Sequence, residues 1–324
     1  MKKKNLFFVL LLIISFSIQS QEKRLALVIG NANYDKGALD NPVNDANLIA
    51  ETLDSLNFEV ILATNIETQR PLLDKIIEFG KKRKNYDVGF VYYAGHGVQI
   101  EGKNYLLPTK ENYESEDDIT NYGVNVDKIM KYLTGMTNQI NILVLDACRN
   151  NPFESKFNKA RALEGKGRGL AKIPAPTGSL IAFSTDAGNT AADGKGENSI
   201  YSTSLAKNML LKDTSLDQVF RNVRAEVLKL SNEIQRPIEA SQLTGEAYYL
   251  VKTNYDKIFY SAELLYKNED YYNTLKTLGE VIANENNNIR ALLLRAKTYN
   301  KIKKHEIALT DFEKLILLDP NNPN

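Results

Sequence analysis

Cysteine is almost absent from this chain. Its 324 residues include one, Cys148, so no intramolecular disulfide can form. Histidine is nearly as scarce, with His96 and His305 alone. So few thiols and imidazoles exclude a zinc cluster of the Cys/His type. Charge of one sign is also lacking: the formal net charge is +1, which gives nucleic acid little to hold. There is no GxxxxGK[ST] phosphate loop, and Gly165-Lys166-Gly167-Arg168-Gly169 has the wrong spacing. That argues against a nucleotide-binding α/β domain. No apolar run is long enough for a transmembrane span. The run over residues 6–14 has nine residues, against the roughly 18–20 that a helix needs. No cysteine follows it, which excludes a bacterial lipoprotein anchor.

What that N-terminal run does resemble is an export signal. Lys2, Lys3 and Lys4 precede it, small residues follow at Ser15, Ser17 and Ser20, and Gln21 is the expected new N-terminus. Those lysines are the only charged residues among the first 20, so their removal takes the formal charge from +1 to −2. The protein is expected to be exported, periplasmic or extracellular, with no stable membrane insertion. A lone thiol in an oxidising compartment is a liability unless its chemistry is used.

The remainder, 43% hydrophobic and 25% charged over the whole chain, reads as ordinary globular protein in two domains. Over residues 21–252, strand-like apolar runs alternate with helical periodicity. Strands are expected at 25–29, 58–63, 88–94, 140–145 and 179–184. Helices are expected from Asn44-Asp45 through Leu56, then at 72–79, 124–133, 202–211 and 216–230; residues 247–250 close the domain. Alternation with apolar strands predicts a mostly parallel sheet sandwiched by helices. Ligands of such sheets sit beyond the carboxyl ends of the strands. His96 follows one strand run and Cys148 another, so both fall at that edge, as a nucleophile and its proton-transfer partner would. The bland alternative is a buried small hydrophobe and a satisfied loop histidine.

Residues 253–324 differ. Shifted by 34 residues, this tail overlays on itself: Ala262 on Ala296, Leu275 on Leu309, Leu278 on Phe312, Val281 on Leu315, Ile282 on Ile316. That is the tetratricopeptide period, here twice, and it predicts a small all-α tail able to bind a protein or peptide partner. His305 reads as an ordinary surface residue between two of its helices.

Ala94-Gly95-His96-Gly97 followed by Leu145-Asp146-Ala147-Cys148-Arg149 resembles the caspase/metacaspase family of cysteine peptidases, and bacterial caspase-like proteins above all. The likeness covers roughly residues 22–252. It includes Leu27-Val28-Ile29-Gly30-Asn31, Asn44-Asp45-Ala46, the segment from Gly178 to Thr185, and Ala192-Asp193-Gly194 through Asn198-Ser199. The resemblance implies a caspase-like fold and an endopeptidase with Cys148 as nucleophile and His96 as its partner. The backbone N–H groups of Gly97 and Cys148 would hold the oxyanion. It also implies that Asp146, two residues before the nucleophile, lines the pocket for the side chain preceding the cut. Asp45 matches a second acid, and Asp193 lies near the place where animal caspases carry an arginine. Three carboxylates without that arginine would attract a cation, so cleavage after Arg or Lys is expected. Asp45 also has a plain reading, as an acid favoured at a helix N-terminus.

The Lys- and Arg-rich stretch over residues 150–177 lies where caspases carry the linker between subunits; self-cleavage there and a solvated loop are both open. Some metacaspases need calcium, and Glu114, Glu116, Asp117 and Asp118 lie in a comparable region; an exposed acidic loop is the other reading. No cofactor is otherwise implied. Two further rivals are a catalytically idle caspase-like scaffold acting through its tail and a cysteine peptidase of the legumain or gingipain type.

Overall fold

The computed structural model describes residues 22–134, 139–148, 170–186 and 196–320, with Cys148 described through its backbone. These divide into two compact units that part between Val251 and Lys252.

The first unit alternates strand and helix in chain order. It opens with β1 (Arg24–Gly30), α1 (Pro42–Ser55), β2 (Phe58–Thr64) and α2 (Gln69–Arg83). Next come β3 (Val88–Ile100), β4 (Lys103–Leu106), α3 (Glu116–Tyr122), β5 (Val124–Asn125), α4 (Asp127–Met130) and β6 (Ile140–Cys148). It closes with β7 (Ser179–Phe183), α5 (Ile200–Met209), α6 (Leu216–Leu230) and β8 (Ile238–Ser241). The main strand order is β2-β1-β3-β6-β7-β8. Its pairs are parallel until β8, which runs antiparallel to β7.

Period-two alternation along the strands sends successive side chains to opposite faces. Ala26, Val28, Phe90, Tyr92, Ile142, Val144, Leu180 and Ala182 pack with Ile49, Leu53, Leu205, Val219 and Val223 of α1, α5 and α6. Their neighbours Leu25, Leu27, Ile29, Val91, Leu143, Leu145 and Ile181 pack with Leu72, Ile76 and Phe79 of α2 and Ile129 of α4. Both faces are therefore covered, as the near-continuous apolar strands require. Local sequence starts the helices. Pro42 occupies the first turn of α1, where its missing N–H is no loss. The side chains of Ser199 and Ser215 cap α5 and α6.

Several expected boundaries are corrected. Helix α1 begins at Pro42 rather than at Asn44, and α2 extends well beyond 72–79 at both ends. Residues 124–133 form no continuous helix: Val124 and Asn125 pair with β4 first, and only Asp127–Met130 is helical. Residues 247–250, at the end of the first unit, contribute a single bridge, Ser215 with Tyr249. The largest difference concerns the candidate site. Strand β3 does not stop at Ala94 but continues to Ile100, so His96 lies within it, and Cys148 is the last residue of β6.

The second unit holds α7 (Tyr255–Lys267), α8 (Tyr271–Asn284), α9 (Ile289–Lys301) and α10 (His305–Leu318). Helices α9 and α10 repeat the lengths of α7 and α8 with both ends displaced by 34 residues. Asn254, Asp270 and Asn288 cap three of the four starts through their side chains. Phe259, Ala262, Leu278, Val281, Ala291 and Leu292 form its core. Among the described residues no helix is long and apolar enough to cross a membrane.

Candidate active site

His96 is placed where one strand changes partners. The pairing of β3 with β1 ends at Ala94 opposite Gly30, while that with β6 continues until His96 stands opposite Cys148. From Gly97 onward the partner is β4, antiparallel. The sheet thus juxtaposes the backbones of His96 and Cys148 as nearest neighbours on adjacent parallel strands, a spacing of about 4.8 Å. At the crossover Gly95 adopts φ +149°, and a Cβ there would lie 2.7 Å from the Tyr34 hydroxyl and 2.9 Å from that of Tyr93. A Cβ on Gly97 would meet Leu170 at 3.0 Å and Ala147 at 3.1 Å.

His96 is 4% exposed. Nε2 donates to the Gly37 carbonyl at 2.6 Å, and a carbonyl only accepts, so Nε2 carries the proton and Nδ1 keeps its lone pair. Among the described residues Nδ1 has no hydrogen-bond partner. Burial lowers the His96 pKa, and the bond to Gly37 partly opposes this. The ring is therefore neutral at neutral pH, with its basic nitrogen unengaged.

A second polar cluster is built around Asp146, two residues before Cys148 on β6. Asp146, 8% exposed, accepts from the hydroxyls of Ser202 at 2.8 Å, Tyr92 at 3.2 Å and Ser199 at 3.2 Å. Asp45, 2% exposed, accepts from the Ser199 N–H at 2.9 Å and the Asn198 side chain at 3.0 Å. Burial, then the charge of Asp146, pushes the Asp45 carboxyl up to about 7. Burial also raises Asp146, while the surrounding hydroxyls hold it back. The structure thus brings together two of the three sequence-predicted acids, and Asp45 is more than a helix-end charge. Asp193 lies outside the described residues, as does the stretch 150–169. The acidic run around Glu116 is not a loop but the start of α3. Ser115 caps that helix, and Asp118 accepts from the Ser115 N–H at 2.8 Å and the Glu114 N–H at 2.9 Å. Among the described residues no group of acids, histidines and cysteines is arranged to hold a metal ion.

Sequence alone assigns no role to Tyr34, Gly37, Tyr93, Ser199 or Ser202. Only Ser199 carries a signal, as the last residue of a family-like segment. The others are polar points on loops or buried faces, and no periodicity marks them.

A parallel sheet clad on both faces, with a histidine and a cysteine in register at its carboxyl edge, is a caspase-type arrangement. Residues 23–248 match the family model of the caspase domain, and the chain belongs to that family of cysteine peptidases, which act on protein substrates. Over 129 residues it is 29% identical to human mucosa-associated lymphoid tissue lymphoma translocation protein 1, covering 39% of this chain and 15% of that protein. The mouse homologue is 28% identical over the same length and the same shares. The chain thus spans only about 15% of the length of these relatives. In fold it resembles the crystal structure of caspase-1 from Spodoptera frugiperda, with a TM-score of 0.52 at 16% identity, over 74% of this chain and 95% of that one.

Proposed function

We propose that the chain is an exported cysteine endopeptidase in which Cys148 and His96 form the catalytic dyad and cleavage follows Arg or Lys. The register of His96 opposite Cys148 carries this reading. In the proposed reaction the Cys148 thiolate attacks the scissile carbonyl. Nδ1 of His96, the nitrogen left with its lone pair, takes the thiol proton and gives it to the leaving amine. The N–H groups of Gly97 and Cys148 bind the oxyanion of the tetrahedral intermediate. The same imidazole then draws a proton from water, which attacks the thioester, releases the acid product and restores the thiol.

The preference for a basic residue rests on Asp45 and Asp146. Neither carboxylate finds an ion-pair partner among the described residues, and burial raises the cost of charging each. A guanidinium or ammonium entering from the substrate supplies the missing cation and favours ionisation of both. Asp193 is proposed as a third acid of the pocket. Residues 150–177, rich in Lys and Arg, are then candidate self-processing sites, and residues 253–324 a partner-binding module of tetratricopeptide type. No metal is required in this reading, although calcium activation is worth testing.

The test sets the purified protein beside Cys148→Ala, with reporter peptides ending in Arg, Lys, Asn or Asp, with and without calcium. Cleavage after Arg or Lys that is lost in the variant is the expected result. Faster cleavage after Asp overturns the pocket assignment. No cleavage by a folded protein whose Cys148 still alkylates favours an idle scaffold acting through its helical tail.

A further inference from the structure

One loop reaches His96 from several sides. Residues 31–40 leave the carboxyl end of β1, and their start is tied down: the Asn31 side chain donates to the Leu107 carbonyl at 3.1 Å and accepts from the Ile66 N–H at 2.9 Å. The N–H groups of Ala32 and Asn33 bond the Asn65 side chain at 2.9 and 3.0 Å. From this loop Tyr34, 6% exposed, sends its ring against the imidazole, centroid to centroid 4.3 Å and tilted by 51°. Its hydroxyl accepts from the His96 N–H at 2.9 Å and donates to the Leu107 carbonyl at 3.1 Å. Three residues on, Gly37 at φ +77° turns its carbonyl to Nε2. From below, the Tyr93 hydroxyl donates to the His96 carbonyl at 2.8 Å and lies 3.3 Å from the Tyr34 oxygen.

The Tyr34 phenol therefore holds the His96 N–H, and the Tyr93 phenol shares the His96 C=O with the Leu107 N–H at 3.1 Å, just where β1 has ceased to pair with β3. Burial lifts both phenols well above the ordinary tyrosine range, so neither loses its proton across working pH.

We propose that Tyr34 and Tyr93 are positioning residues: together with the Leu107 N–H they take over the His96 backbone where β1 ends, and they hold the ring where its Nε2–H meets the Gly37 carbonyl, which leaves Nδ1 bare. The geometry supports the clamp by itself. Its value to catalysis rests on the reading of His96 as proton carrier.

The chain has only two histidines, so nitrogen-15 labelling of histidine with His305→Gln as the assignment control reads His96 directly. In the unaltered protein the nitrogen shifts should report the Nε2–H form at neutral pH. Tyr34→Phe keeps the ring and removes the hydroxyl. It should give mixed tautomers, a His96 titration displaced from its original midpoint, and a kcat lower by roughly ten- to a hundredfold with KM changed less than about twofold. If Tyr34→Phe does not fold, Tyr93→Phe is read in the same way. Either folded variant with unaltered His96 nitrogen shifts overturns the clamp. Altered shifts with unaltered kcat overturn the catalytic role. Should the unaltered protein cleave no peptide, the proposed function fails, while the nitrogen shifts still decide whether the tyrosines hold the ring.

Discussion

Asp45 and Asp146 share one serine: the Ser199 N–H donates to the first at 2.9 Å and its hydroxyl to the second at 3.2 Å. Two buried carboxylates are thereby tied to one residue with no cation paired to either among the described residues, an arrangement that resists full ionisation.

That resistance makes stability depend on pH. The folded-state pKa of Asp45 is about 7, against 3.8 for an unperturbed aspartate. Between those values the folded chain holds a proton that the unfolded chain releases. The stabilisation is complete below the lower value and is lost as pH rises through about 7. Denaturant unfolding should show the unaltered protein losing on the order of a few kcal/mol across that window. Asp45→Asn should flatten the loss and gain stability at about pH 8. Equal slopes in both proteins would remove the shared-proton account.

Cleavage should respond in the opposite sense. Ionisation of the pair improves the pocket for a cation, so kcat/KM for an Arg-ended reporter should climb through about pH 7 and do so less in Asp45→Asn. A neutral P1 side chain serves as control, and an identical climb for it would mean that the pair does not meet the substrate.

Ser199→Ala removes one of the hydroxyls on Asp146 and the cap of α5, whose Ser202 N–H it accepts at 3.1 Å. The expected loss is about 1–3 kcal/mol, seen as a lower melting temperature, together with weaker cleavage after Arg. Ser199→Thr, which keeps the hydroxyl, should recover much of both.

Gly95→Ala places a methyl group 2.7 Å from the Tyr34 oxygen at a positive φ. Destabilisation of about 1–3 kcal/mol is expected from the backbone alone. Activity should fall further than stability, because the displaced atoms are those that hold His96. A variant that melts and cleaves like the original would show that the crossover tolerates a side chain.

Much of the fold could be read from the chain because β1, β2 and β7 are short apolar runs and α6 carries a clean helical periodicity. What escapes such a reading does so for physical causes. Strand β8 has one large apolar residue, Ile238, on an edge that pairs on one side only. Residues 124–133 carry Val126, Ile129, Met130 and Leu133 at helical spacing, yet Val124 and Asn125 are claimed by β4. Tertiary pairing there overrides a local pattern. The His96 and Cys148 motifs were visible because each closes an apolar run. His96 lies inside a strand because Gly-His-Gly can stay extended when a new partner, β4, takes over, whereas Cys148 is the last residue of β6. The hydroxyls around Asp146 come from Tyr92 on β3 and from Ser199 and Ser202 at the start of α5, far from Tyr92 in the chain, and only the folded sheet assembles them.

The pairing of His96 with Cys148 has a consequence in time. The two residues are remote in sequence and meet only when β6 docks against β3, at the centre of the sheet. A nascent or partly unfolded chain therefore contains both chemical groups but no pair. If the dyad works as proposed, a molecule that has not finished folding cannot cut its neighbours, and the order of assembly is the chain's first safeguard against its own activity.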